Sequence, residues 1–285
     1  MHRPIIVHIG YPKTGTTTLQ RRLFGAHPTI VSIGKPKPSG FGASLIEAFT
    51  TPQVSGERLS ELAATWRTVA AKTDRQIVLS HEGLSAPDLY RGDFGTPLPE
   101  RMRQVFGQAR IMIGIRNQVD LFESFYLHKT RPDSYYTPER FAEEASAEID
   151  NWDFAGMADR YAAIFGKEQV GLFQLELLET DLARYATRLA EFMGLGVSDV
   201  YERLRAVKDN ARKSRRIVVY AAIRSRIPIG NLSRFLPGTA PLVERILKSG
   251  KPAQVKLTKP FRCALRKRYV QSNLKLQEKF QVRLD

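Results

Sequence analysis

The chain has 285 residues, 42% of them hydrophobic, and carries 44 Lys+Arg against 29 Asp+Glu for a formal net charge of +15. That length and apolar content support a substantial buried core and exclude a disordered tail or a fibrous repeat. The charge is uneven: residues 1–200 hold 22 basic and 24 acidic side chains, whereas residues 201–285 hold 22 basic and 5 acidic.

In chain order, Ile5–Ile9 reads as a buried strand stopped by Gly10 and followed by a helix from about Thr16 to Gly25. Gly34–Gly42, rich in Lys, Pro and Gly, reads as a mobile loop at the phosphate-binding end of a sheet. Glu57–Lys72 has helical periodicity, with Leu59, Leu62, Trp66 and Val69 on one face. Gln76–Ser80 is a second strand, Pro99–Gly107 a short helix, and Arg110–Ile115 a third strand ending at Arg116. Helices over Asp120–Thr130 and Pro138–Phe165 follow, the latter broken near Asn151, then a strand at Gln169–Gln174 and a helix at Thr180–Met193. Strands that are continuously apolar and alternate with helices indicate a parallel sheet covered on both faces. Beyond residue 200 the pattern is helical, cut by Pro228, Pro237, Pro241, Pro252 and Pro260. The expected architecture is a P-loop-like, three-layer α/β fold with a parallel central sheet. One domain, 1–285, is expected, with 1–200 as its α/β core and 201–285 as a basic helical C-terminal extension.

Cys263 is the single cysteine, so no internal disulfide is available, and it reads as a packed or half-buried thiol. No stretch approaches the roughly 18–20 uninterrupted apolar residues of a membrane span, and the N-terminus does not read as a secretory signal. The expectation is a soluble, cytoplasmic protein.

The most informative segment is Ile9-Gly10-Tyr11-Pro12-Lys13-Thr14-Gly15-Thr16-Thr17-Thr18. A strand runs into a Gly-containing turn and then a helix whose first turn carries hydroxyls, which aims backbone N–H groups and the positive helix end at one place. Lys13 adds a full charge and Thr16, Thr17 and Thr18 add donors, a concentration that an ordinary strand–helix turn does not need. The nucleotide-triphosphate loop G-x-x-x-x-G-K-S/T has its lysine after the second glycine; here Thr16 follows Gly15, and Lys13 lies inside the loop. The third strand then delivers Arg116 where a magnesium-binding carboxylate would be expected, although the second delivers Glu82. Cations in place of a metal suit a phosphate-bearing donor used without Mg²⁺.

With these residues the chain resembles the sulfotransferases that use 3′-phosphoadenosine 5′-phosphosulfate (PAPS), and is similar to bacterial members of the heparan-type carbohydrate group. Tyr11–Thr17 looks like their 5′-phosphosulfate loop, which implies that Lys13, Thr14, Gly15, Thr16, Thr17 and Thr18 bind the cofactor. Arg116, followed eight residues later by Ser124, looks like their 3′-phosphate signature, with Gln118 and Leu121 standing where relatives commonly have Pro and Arg. The resemblance implies that PAPS gives its sulfuryl group to an acceptor hydroxyl by in-line displacement, without a metal, and leaves adenosine 3′,5′-bisphosphate (PAP). Lys13 would bind the donor and stabilise the leaving phosphate. For the base, a Glu in the corresponding post-strand position implies Glu82; His81 competes, because some relatives use His and its ordinary pKa suits the role. Adjacent residues on an extended segment point oppositely, so one of the two faces the nucleotide.

Leu265-Arg266-Lys267-Arg268-Tyr269-Val270-Gln271-Ser272-Asn273 resembles the final helix of the heparan-type relatives. The preceding Ser249-Gly250-Lys251-Pro252 loosely resembles their nucleotide-closing loop, and the resemblance implies Lys251 as a further cofactor contact. Asp209–Ser214 resembles a segment of bacterial members. Two basic clusters remain, Arg212, Lys213, Arg215 and Arg216, and Arg262, Arg266, Lys267 and Arg268. Three readings compete for them: an anionic carbohydrate or glycolipid acceptor, peripheral contact with the anionic inner face of a membrane, or a solvated face. Acceptor contacts are expected from 34–42, Tyr126–Tyr136 and the C-terminal helices. The alternatives to a PAPS-dependent O-sulfotransferase are a small-molecule kinase using ATP-Mg²⁺ and, in another class, a basic nucleic-acid-binding protein, for which no DNA- or RNA-binding motif is present.

Overall fold

The computed structural model describes residues 3–35, 38, 40–85, 98–130, 135–146, 152–205, 214–226, 245–247, 249, 251, 253 and 256–284, the side chains of 224–226 excepted. Five strands form one all-parallel sheet: β1 (Ile5–Gly10), β2 (Ile30–Ser32), β3 (Gln76–Ser80), β4 (Ala109–Ile115) and β5 (Val170–Gln174). Their order is β2-β3-β1-β4-β5, so β1 is central and the chain passes to one side after β1 and to the other after β4. The resulting switch point, at the carboxyl ends of β1 and β4, is where open α/β sheets place ligands.

The first strand, predicted as Ile5–Ile9, is buried at all six positions because it lies between two neighbours and under two helical layers. β2 was not anticipated; only three residues long and at the sheet edge, it carries too little apolar pattern to stand out. Helix α1 (Thr16–Thr18) widens into a π-helical stretch over Leu19–Phe24, which buries Leu19, Gln20, Leu23 and Phe24. The region expected to be a mobile loop contains helix α2 (Phe41–Thr50) from Phe41 onwards. Next come α3 (Gly56–Ala71), α4 (Leu98–Phe106), α5 (Gln118–Lys129) and α6 (Pro138–Ser146). They are followed by α7 (Phe154–Phe165), α8 (Leu175–Thr180), α9 (Leu182–Met193) and α10 (Val197–Arg205). Later in the chain come α11 (Arg215–Arg226) and α12 (Lys259–Phe280). Asn151, where a break was expected, lies outside the described residues; α7 starts at Phe154 and is capped by Asp153, whose carboxylate accepts from the Gly156 N–H at 3.0 Å. A second break, at Asp181, divides the expected Thr180–Met193 helix, because Asp181 turns out of helical geometry and caps α9 by accepting a hydrogen bond from the Arg184 N–H at 3.0 Å.

The chain divides into two compact units, one of Met1–Asn117, Asn151–Asp209 and Val270–Asp285, the other of Gln118–Asp150 and Asn210–Tyr269. In the first, alternate residues of the strands serve the two sheet faces. Ile6, Val78, Met112 and Phe173 meet Leu19, Leu23 and Phe24 and the apolar stripe of α9, Tyr185, Ala186, Leu189, Ala190 and Met193. On the helices α2, α3 and α4, Phe106 takes Phe49 and Trp66 edge-on at 5.6 and 5.2 Å. In the second unit, Phe122 of α5 packs on Phe261 of α12 at 5.7 Å, and Tyr126 packs on Phe141 of α6 at 5.5 Å. Pro260 does not cut this last helix but sits in its first turn, where its missing N–H removes no helical bond. Pro228, Pro237, Pro241 and Pro252 lie outside the described residues. Cys263 corrects the expectation of a packed thiol: it is free and exposed, because Phe261 and Leu265 carry the buried face of α12. Among the described residues no helix is long and apolar enough to cross a membrane.

Candidate functional site

The site is built where β1, β3 and β4 end side by side. The chain leaves β1 through Tyr11, whose N–H donates to the Gly114 carbonyl at 3.4 Å and whose ring is buried against Trp152 and Phe154 at 5.1 and 4.9 Å. With Tyr11 anchored, the loop tightens on itself: the Thr14 hydroxyl donates to the Tyr11 carbonyl at 2.5 Å. Lys13 and Gly15 adopt left-handed φ of 69° and 84°. For Lys13 this is an uncommon conformation, held by the surrounding loop. The Gly15 carbonyl then accepts from the N–H groups of Thr18 and Leu19 at 3.1 and 3.3 Å and starts the helix. Gly114 of β4 lets the loop pass this close, since a Cβ there would lie 2.8 Å from the Thr14 hydroxyl.

The end of β3 supplies the acidic group. Glu82 opens a short 3-10 turn (Glu82–Leu84), and Ser85 ties that turn to β1 by donating to the Gly10 carbonyl at 3.2 Å and the Glu82 carbonyl at 2.8 Å. The buried Thr16 hydroxyl donates to Glu82 Oε1, and Lys35 Nζ lies 3.7 Å from Oε2. His81 caps the same turn, its Nδ1 accepting from the Gly83 N–H at 3.0 Å. Its pKa is held below the ordinary histidine value, first by burial and then by the Lys35 charge, against the opposing pull of Glu82.

The end of β4 supplies the second cation. Arg116 is buried and its Nη1 donates to the Lys13 carbonyl at 3.4 Å, so the guanidinium lies against the underside of the loop. The next residue, Asn117, gives its N–H to Glu176 Oε1 at 2.8 Å, which fixes the turn out of β4. Lys13 has its pKa lowered chiefly by burial and further by Arg116, while Glu82 raises it. The three charges therefore act on one another at the mouth of the loop.

The first unit thus brings together Lys13, Thr14, Gly15, Thr16, Thr17, Thr18, His81, Glu82 and Arg116. Thr14 and Thr16 are buried into the loop's own bonding, and Thr17 and Thr18 are half-buried. Ser124 and Lys251 belong to the second unit: Ser124 is half-buried on α5, and Lys251 is exposed, its carbonyl accepting from the Arg215 N–H at 2.9 Å. Of the basic clusters, Arg215 and Arg216 are exposed, and Arg216 also donates to the Ser249 hydroxyl at 2.7 Å. Arg262 is half-buried 3.6 Å from Glu123, and Arg266, Lys267 and Arg268 are exposed. Arg212 and Lys213, with the rest of 209–213, lie outside the described residues, as do 36, 37, 39 and 131–134 of the expected acceptor segments. Sequence reasoning missed Lys35, Ser85 and Gly114. Lys35 falls within the stretch read as a mobile loop; Gly114 was a visible signal, a lone glycine in an otherwise apolar strand.

An all-parallel sheet whose switch point carries the Tyr11–Thr18 loop, with Lys13, Arg116 and Glu82 gathered on it, is a P-loop-like α/β architecture. The sulfotransferase domain family matches residues 3–231, and the chain belongs to that family, whose chemistry is sulfuryl transfer. Among solved structures, a sulfotransferase from Alicyclobacillus acidocaldarius shares the fold at 17% identity, covering 100% of this chain and 98% of its own, with a TM-score of 0.57. The sulfotransferase domain of the Synechococcus PCC 7002 olefin synthase matches at 13% identity over 94% of this chain and 95% of its own, with a TM-score of 0.49. A mouse sulfotransferase solved in complex with PAP matches at 16% identity over 94% of this chain and 88% of its own, with a TM-score of 0.43. A search of curated proteins returns no match.

Proposed function

We propose that this sulfotransferase takes the sulfuryl group from PAPS and transfers it to a hydroxyl of a carbohydrate or glycolipid acceptor. The observation that carries the reading is the convergence of Lys13, Arg116 and Glu82 on one loop, with Arg116 Nη1 3.4 Å from the Lys13 carbonyl and Glu82 bonded to Thr16. Two buried or half-buried cations at a loop of this shape suit a donor that carries a phosphate ester and a phosphosulfate anhydride, and Glu82 supplies the base that hydroxyl attack needs. In the transfer, Glu82 accepts the acceptor's hydroxyl proton as the new O–S bond forms. The S–O bond to the 5′-phosphate breaks, its electron pair stays on the phosphate oxygen, and Lys13 neutralises the charge that builds there.

Between the two candidate bases, hydrogen bonding favours Glu82. His81 Nδ1 is already an acceptor from Gly83, so the neutral ring carries its hydrogen on Nε2 and has no second lone pair to offer. Glu82 keeps Oε2 for an incoming hydroxyl, with its side chain 28% exposed. The experiment is Glu82→Gln beside His81→Ala. Production of PAP from PAPS is measured with p-nitrophenyl glycosides and with water as acceptors, and PAP binding is the control for an intact loop. Glu82→Gln should lose at least about 100-fold in turnover with PAP binding retained, and His81→Ala should lose far less; the opposite ranking would transfer the role to His81.

The anionic character of the acceptor is supported by the C-terminal charge. Residues 210–269 hold 16 basic side chains and a single acidic one, Glu244. Cations this concentrated raise the local concentration of an anionic glycan or lipid headgroup bearing the acceptor hydroxyl.

A further inference from the structure

Lys35 stands outside every motif that the loop, the base and Arg116 account for, yet its ammonium is 3.7 Å from Glu82 Oε2. Its position is built rather than incidental. The Lys35 N–H donates to the Ser80 carbonyl at 2.9 Å, which extends the edge pairing of β2 on β3 beyond the last paired residues, Ser32 and Val78. One residue earlier, Gly34 lies so close that a Cβ would collide with the Ser80 backbone. The backbone of Lys35 is thus pinned to the end of β3, two residues before Glu82, while its side chain remains 39% exposed. On the opposite side, the Thr16 hydroxyl holds Oε1. The carboxylate is therefore fixed between a donor from the phosphate loop and a cation from the β2 edge.

We propose that Lys35 is a positioning residue for sulfuryl transfer, holding Glu82 so that Oε2 faces the acceptor hydroxyl. This rests on the reading of Glu82 as the base. Without Lys35, the carboxylate keeps its tether to Thr16 but loses what orients its second oxygen, and it is left to the pull of the other cations of the site. Lys13 is one of them, and Glu82 already acts on it electrostatically. Lys35 then does two jobs at once: it points the base and keeps it from being captured by the residue needed at the leaving phosphate. Misplacing a reacting group by about 1 Å costs rate far more than it costs binding.

The test compares Lys35→Met, which keeps the aliphatic stem, and Lys35→Arg in the wild-type and Glu82→Gln backgrounds. PAP release from PAPS is followed with water and with p-nitrophenyl glycosides as acceptors, and PAP binding is followed by thermal shift. Lys35→Met should lower kcat about tenfold with PAP binding unchanged, Lys35→Arg should recover most of the loss, and Lys35→Met should add nothing to Glu82→Gln. Unaltered kcat in Lys35→Met overturns the proposal, as do losses that multiply when the two changes are combined, because Lys35 would then act independently of Glu82. Normal turnover in Glu82→Gln alone is a separate result: it removes the base and, with it, any role of Lys35 through that base.

Discussion

At the scale of single residues, the polar groups beneath the loop divide into those that meet solvent or ligand and those that only hold the loop in place. His8 is of the second kind. It lies in the middle of β1, packs edge-on to Phe24 at 5.2 Å, and shares Ser80 Oγ with Gln20, at 2.7 and 3.1 Å respectively. Burial pushes its pKa down to about 3. An unfolded chain protonates this ring near pH 6.5, so between about pH 6.5 and 3 the unfolded state binds a proton that the folded state refuses. Stability should therefore fall as pH drops through that window, by on the order of 5 kcal/mol from this group. His8→Gln should flatten this part of a plot of urea midpoint against pH, and an unchanged slope would assign the acid sensitivity to other groups. Lys13 carries the sharper functional claim. On the proposed reading Lys13 meets charge that appears only as the leaving phosphate departs, so Lys13→Ala should depress kcat at saturating PAPS and not merely raise KM. A change confined to KM would limit Lys13 to ground-state binding.

At the scale of elements, much of what positions the site was legible and some was not, for physical reasons that differ. β1, β3 and β4 were readable because a strand buried on both faces must be apolar at nearly every position. The strand–turn–helix course of the loop was readable because Gly10 and Gly15 interrupt an apolar run just before three threonines suited to a first helical turn. Arg116 was readable as a cation ending an apolar strand, but its hydrogen bond to Lys13 was not, since a contact across 103 positions leaves no local pattern. β2 escaped because it is three residues long at a sheet edge, and Lys35 escaped with it. Arg101 was equally silent. It reads as one more charge on α4, yet it is buried and donates to the carbonyls of Ala48, Thr51 and Pro52 at 3.2, 2.6 and 2.7 Å, closing the C-terminal end of α2. Arg101→Ala leaves these acceptors without their donor and should cost about 2–3 kcal/mol. Urea unfolding measures this directly; a loss below about 0.5 kcal/mol would mean that water replaces the guanidinium.

At the scale of the whole molecule, the surplus charge and the residues of the candidate site lie in different parts of the chain. The nearly balanced residues 1–200 hold Lys13, Arg116, Glu82 and Lys35, with Lys13 half-buried in the loop and Arg116 buried against it. The surplus lies later in the chain, where some of it is already engaged internally, Arg262 with Glu123 and Arg216 with Ser249. What the account requires of the protein as a whole is that its loop prefer a bisphosphorylated nucleotide to a triphosphate. Glu82 bonded to Thr16 gives the rival case its one foothold, because a carboxylate beside the first hydroxyl of a phosphate loop is also how nucleotide-triphosphate enzymes hold magnesium. Thermal unfolding of the intact chain with PAP or with ATP-Mg²⁺ separates the two. A ligand present at about 100 times its Kd adds roughly 2.7 kcal/mol to the folded state, and PAP should produce a shift of that order while ATP-Mg²⁺ produces little. Stabilisation by ATP-Mg²⁺ without stabilisation by PAP would contradict the assignment of donor and site together.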